Sequence, residues 1–177
     1  CGGLNSAAVK FAKNRILELK EQNLNPTLFC IGKKGYEQLK TNHDNIIVDK
    51  LFGIFKGNID YKIAQEISDK IIHLFEDNKF DVCEVIYSKF KSAISQEQIC
   101  KQLIPAQICK DKKDAKNLES PINYESGKEE TLSELLPKNL MMQIYNELLE
   151  NNASEQGARM AAMEAETKNA GQMIKSL

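Results

Sequence analysis

Apolar positions divide the chain into short alternating elements followed by one long one. Asn5 or Ser6 can cap a helix whose apolar positions Val9, Ala12, Ile16 and Leu19 recur at helical spacing until Asn25-Pro26 stops it. Thr27–Ile31 is a short apolar run closed by Gly32, a weaker helical stretch covers Lys34–Lys40, and Ile46–Val48 is the next strand. Asp60 caps a helix with Ile63, Ile67, Ile71 and Leu74 along one face. Val82–Tyr87 and Ile99–Ile104 follow as strands, the second stopped by Pro105. Strands alternating with helices through short turns predict an α/β fold with a doubly wound, mostly parallel, Rossmann-like sheet covered on both faces. If Cys1-Gly2-Gly3 is the turn that opens the first helix, a right-handed crossover needs a strand before it, upstream of residue 1.

Between Cys109 and Tyr124 the chain turns polar and rich in Lys and Asp, a solvated loop leading to a short segment at Ile122–Glu125. The α/β domain is therefore expected over 1–125 and a helical unit over 126–177. In that unit Glu129–Leu136 reads as a short helical piece, and Pro137 suits the first turn of a new helix, where its missing N–H is not needed. From Lys138 to Leu177 only Gly157 and Gly171 interrupt the pattern, so about 40 residues can run as one rod of about 60 Å. Its seam is bulky at Leu140, Ile144 and Leu148. It then turns to small residues and methionine at Ala158, Ala162, Ala165, Met173, Ile174 and Leu177. A helix of that length exceeds what a small domain can cover, so a coiled coil or a surrounding protein collar is expected as its partner.

Composition adds little. Of 177 residues, 24 are basic and 25 acidic, so no strong field draws the chain to nucleic acid or anionic lipid. Five cysteines without C-x-x-C spacing, mostly inside apolar runs, read as reduced thiols. No apolar stretch reaches the roughly 20 residues that span a bilayer, and nothing at the start resembles a cleavable signal; a soluble chain without membrane insertion is expected. The absence of an initiator Met at Cys1 makes the chain read as a fragment.

No catalytic chemistry assembles. Gly2-Gly3 lies where a doubly wound domain would hold a phosphate, yet the spacing fits no dinucleotide or P-loop fingerprint, and a tight turn is the plainer role. Ser126-Gly127-Lys128 lacks the earlier glycine and the following Ser or Thr of a P-loop. His43 and His73 have no partner at metal-ligand spacing, and no Ser or Cys sits on a nucleophile elbow. The expectation is a chain that is not an enzyme in its own right, with no catalytic residue, cofactor or metal.

Two stretches are specific: Cys1-Gly2-Gly3-Leu4-Asn5, and Ala153-Ser154-Glu155-Gln156-Gly157-Ala158-Arg159-Met160-Ala161-Ala162-Met163. Together they resemble the γ subunit of F-type ATP synthase. Tyr87-Ser88-Lys89-Phe90 with Ser95-Gln96 and Leu103-Ile104-Pro105 is similar to that family's strand pair, and Tyr124-Glu125 to its segment before the last helix. The resemblance implies a rotor: a foot on the membrane-embedded c-ring, and two long helices coiled antiparallel inside the hexamer of α and β subunits, with an ε subunit as neighbour. Nucleotides would bind on those other subunits. It further implies partner contacts at Cys1, Gly2 and Gly3, facing a moving β-subunit loop, and at Tyr124 and Glu125, facing the ring. It places Glu155, Arg159, Met160, Ala162 and Met163 on the shaft helix. The expected place is the cytoplasmic face of a bacterial inner membrane, or the matrix side of a mitochondrial one. The chain lacks the family's N-terminal helix, the strand before the Gly-rich turn and the terminal segment, and Gly157 and Glu166 stand where small helix formers are expected. The rival reading is a free-standing doubly wound domain that binds a phosphate or nucleotide at Gly2-Gly3 and dimerises through its long helix.

Overall fold

The computed structural model describes residues 2–54, 59–105 and 128–176, with the backbone alone for residue 2 and for 128–134. Helix α1, Gly2–Glu21, starts before the expected cap, so Gly2 and Gly3 lie inside the helix instead of forming a turn ahead of it. Glycine in a helix costs only about 1 kcal/mol relative to alanine, and α1 is held by its buried Val9 and Ile16. The helix ends before Asn25-Pro26. Asn23 adopts a left-handed φ of 58°, and the Leu24 N–H donates to the Leu19 carbonyl at 3.0 Å, closing a Schellman turn.

Strands β1, Leu28–Ile31, and β2, Ile47–Leu51, pair in parallel with Ile31 opposite Leu51. They are linked by helix α2, Lys33–His43, and a 3₁₀ turn over Asp44–Ile46. Gly32 between β1 and α2 has φ 112°, a conformation that favours glycine, and its N–H donates to Leu51 O at 2.8 Å, which extends the ladder by one step. Helix α3, Tyr61–Glu76, is capped as expected: the Asp60 carboxylate accepts from the Lys62 N–H at 3.4 Å. Asn78, with φ 54°, ends it in the same way that Asn23 ends α1.

Strands β3, Cys83–Phe90, and β4, Gln96–Ile104, form an antiparallel hairpin with Phe90 opposite Gln96 and Cys83 opposite Ile104. The link Lys91–Ser95 is too short for the crossover that a parallel pair requires. Among the described residues, an α/β domain with one parallel and one antiparallel strand pair is thus followed by a long C-terminal helix, α4, Lys128–Lys175. That helix is continuous for 48 residues and contains Pro137, so no separate short piece ends at Leu136. Proline inside a helix forfeits one backbone hydrogen bond. Just beyond it, Leu140, Met141, Ile144 and Leu148 are all buried, and burial contributes about 1.5–3 kcal/mol per large apolar side chain, enough to hold the helix on course.

These four residues complete the main core with Ile59, Ala64, Ile67 and Ile71 beside α3 and Leu103 of β4. A smaller core joins Val9 of α1, Cys30 of β1 and Leu39 of α2. The first half of the apolar seam on α4 therefore belongs to the domain itself.

Candidate functional site

The informative region is the seam along which α4 leaves the domain. One edge of β3 pairs with β4; at the other, backbone groups of Ser88 and Phe90 turn to α4, whose polar side chains take the place of a neighbouring strand. The Ser88 N–H donates to Asn151 Oδ1 at 3.2 Å, the Ser154 hydroxyl donates to Ser88 O at 2.8 Å, and the Phe90 N–H donates to Glu150 Oε2 at 3.0 Å. Ser88 and Ser154 are 1% and 0% exposed, so water does not compete for these bonds. Residues 147, 150, 151, 154 and 157 share one face because they are three or four positions apart. Gly157 closes the row, buried against Phe90.

Two ion pairs flank this seam. Glu147, buried on α4, accepts from Lys101 Nζ of β4 at 2.9 Å, while its second oxygen, Oε2, has no hydrogen-bond partner among the described residues. Burial pushes the Glu147 carboxyl above the usual carboxylate range, and the Lys101 ammonium opposes that only in part. On the far side, Arg15 of α1 grips Glu84 of β3 with two prongs, Nε to Oε2 at 2.9 Å and Nη2 to Oε1 at 2.7 Å. The Cys100 thiol donates to the same Oε2 at 3.4 Å; burial together with that carboxylate pushes it up to about 11. Hydrogen bonding to Arg15 holds Glu84 below its ordinary value.

Past Gly157 the helix has little cover. Met160, Met163, Met173 and Ile174 are 59–73% exposed, and Ala162 and Glu166 are exposed too. Glu155 and Arg159 are brought together by an ion pair at 2.7 Å, one turn apart. The described part of the expected site is therefore a polar-edged methionine face on a projecting helix, with Gln156, Met160, Met163, Glu164 and Thr167 lining a shallow open groove. Gly3 has open space around its Cα. Cys1, Tyr124 and Glu125 lie outside the described residues, so no arrangement of them is stated. Among the described residues no helix is long and apolar enough to cross a membrane.

A family model described as ATP synthase matches residues 1–177. Curated proteins called ATP synthase gamma chain are similar along the same length. One from Rhodopseudomonas palustris is 42% identical over 174 residues, 98% of this chain and 59% of its own. One from Sinorhizobium fredii is 39% identical over 177 residues, 100% of this chain and 60% of its own. The chain belongs to the ATP synthase γ-chain family. It spans about three-fifths of the length of those γ chains. In the cryo-EM structure of the Tetrahymena thermophila mitochondrial ATP synthase central stalk and c-ring, a chain shares this fold with a TM-score of 0.70 at 22% identity, covering 93% of this chain and 69% of that one. A second, in the Euglena gracilis mitochondrial ATP synthase rotor, has a TM-score of 0.61 at 15% identity, with 95% and 65% covered. The free-standing phosphate-binding domain finds no support in these similarities, and its supposed turn at Gly2-Gly3 is part of α1.

Sequence reading of this γ-family chain found the apolar half of the seam but missed its polar contacts. Ser154 stands inside the motif that carried the resemblance, but nothing in its spacing announces Ser88 as its partner, 66 positions away. Arg15 and Glu84 are 69 apart, and Lys101 and Glu147 are 46 apart. In a chain this rich in charge, such pairs cannot be told from solvated neighbours before the fold is known.

Proposed function

We propose that this chain is the foot and lower shaft of the central rotor of an ATP synthase. It couples rotation of a membrane-embedded c-ring to conformational change, and so to ATP synthesis or hydrolysis, at the β subunits. The observation that carries this reading is the division of α4. It is gripped by the domain from Leu140 to Gly157 and then projects with exposed Met160, Met163, Met173 and Ile174, a lever fixed at one end. Rotation of such a lever favours one β-subunit conformation over another through differences in contact energy. Its partners are the α and β subunits around the shaft, an ε subunit beside the foot and the c-ring beneath. The chain itself is non-catalytic and holds no nucleotide. Glu155, Arg159, Met160, Ala162 and Met163 contact the surrounding helix and subunits; Cys1, Gly2 and Gly3 face a β-subunit loop, and Tyr124 and Glu125 face the ring. Bacterial relatives favour the cytoplasmic face of the inner membrane as its place, bound peripherally.

The test is to express the full-length protein with its α, β and ε subunits, purify the assembly and measure ATP-driven ion uptake in vesicles. Co-purification and uptake are expected. A folded full-length protein never recovered with α and β, or an isolated chain that binds ATP tightly and stoichiometrically, would refute the reading.

A further inference from the structure

Resting on the rotor reading, we propose that Asn151 and Ser154 are positioning residues that fix the angle of α4 about its own axis relative to the foot, so that torque passes between them without slip. Two kinds of contact hold α4. Below, Leu140, Met141, Ile144 and Leu148 pack into the core, and because the hydrophobic driving force is non-directional this packing sets the helix's rotation less sharply than hydrogen bonds do. Above, the bonds from Asn151 and Ser154 run to the backbone N–H and C=O of one residue, Ser88, and hydrogen bonds weaken steeply when misaligned. A strand backbone anchored along its other edge by β4 cannot follow the helix round.

Burial converts this geometry into a lock. Turning α4 out of register would leave the Ser88 N–H and C=O without partners in a place closed to water, the costliest way to lose a hydrogen bond. The clasp also stands at the upper end of the seam, next to Gly157, after which the helix is exposed. A twist applied to the free part meets the domain at Gly157, where a small residue packs against Phe90, and then at these hydrogen bonds. The Glu150 bond to Phe90 lies in the same row but is exposed, so it adds less.

The experiment uses the full-length protein assembled with its partner subunits in membrane vesicles, and reads the ratio of ATP-driven ion uptake to ATP hydrolysed. Asn151→Leu combined with Ser154→Ala removes both bonds to Ser88. Asn151→Asp keeps an acceptor oxygen for the Ser88 N–H. Ile67→Val loosens the core beneath α3 without touching the clasp and controls for stability. The double variant is expected to lower the ratio about twofold or more, while Asn151→Asp and Ile67→Val keep the wild-type ratio. A wild-type ratio in the double variant overturns the proposal, and so does an equal fall in Ile67→Val. Should the double variant fail to assemble, Asn151→Leu alone is followed by amide exchange at Ser88 in the full-length protein, expected to speed up at least about fivefold; unchanged exchange overturns the proposal. A wild-type assembly that hydrolyses ATP without ion uptake overturns the rotor reading itself and the clasp with it. Intact coupling in wild type and double variant alike overturns the clasp alone.

Discussion

Gly157 of α4 lies so close to Phe90 of β3 that a Cβ built on it would stand 2.7 Å from Cε2 of the ring and 3.3 Å from Cα of Ala93. Glycine in a helix interior gives up about 1 kcal/mol relative to alanine, and here that loss admits the hairpin against the helix. In Gly157→Ala the ring has to swing toward solvent and the Ala93 backbone has to yield slightly. Overpacking of this kind costs about 1–3 kcal/mol, so the substitution is expected to lower stability by up to about 1–2 kcal/mol net. With Phe90→Ala already in place the ring is gone and the helix gain dominates, so the same substitution should then stabilise. Urea midpoints of the four chains of this double-mutant cycle decide it; a stabilising Gly157→Ala in the presence of Phe90 would contradict the geometry.

The Arg15–Glu84 pair ties α1 to β3 and makes stability depend on acid. Both side chains are less than a third exposed, and the contact is two-pronged. Because the folded Glu84 carboxyl lies below its ordinary value of 4.5, the contribution of the pair is complete above that value and is lost as pH falls through the lower, folded one. Glu84→Gln should cost about 1–3 kcal/mol at pH 7, and the gap to wild type should close below pH 4.5. Denaturant melts at pH 7 and pH 3 measure this. An equal gap at both would show that the charge is irrelevant.

Glu147 should behave in the opposite sense. Burial raises its folded value above the unfolded one, so the folded state holds this proton more tightly, and the penalty for the charged carboxylate is present above the raised value and fades as pH falls through it. Lys101 is 43% exposed and can be hydrated without its partner, whereas Glu147 cannot. Glu147→Met is therefore expected to raise stability at pH 8 by about 1 kcal/mol, with a smaller advantage in acid, while Lys101→Met, which strands the carboxylate, should cost about 3 kcal/mol. Thermal melts across that pH range test the pair. If both substitutions cost the same, the asymmetry argued from burial is wrong.

Attachment to the ring is the proposed role of Tyr124 and Glu125. Either alone should be dispensable, because a single ion pair at a subunit surface contributes at most about 1 kcal/mol. Tyr124→Ala with Glu125→Lys removes an aromatic anchor and reverses a charge, so more ATPase should wash from membranes at low ionic strength, with the specific activity of the released enzyme unchanged. Retention equal to wild type would refute the assignment.

Local chemistry was legible along the chain wherever a few neighbouring residues decide the outcome. Asp60 announced the start of α3, Ile67 and Ile71 its buried face, and Leu140, Ile144 and Leu148 the seam of α4. The γ-chain resemblance lay in two contiguous stretches, each readable without a fold. Tertiary structure alone decided that Gly2 and Gly3 are helical, that α4 runs through Pro137, and that β3 and β4 pair antiparallel. It also decided that Gly157 is buried and that Ser88 meets Asn151 and Ser154. The reason is one of range. Caps and periodic faces depend on residues a turn apart, whereas a hydrogen bond between positions 88 and 154 exists only once a hairpin and a helix far apart in sequence have been pressed together. Burial then makes that bond matter, by removing the water that would otherwise have satisfied both ends.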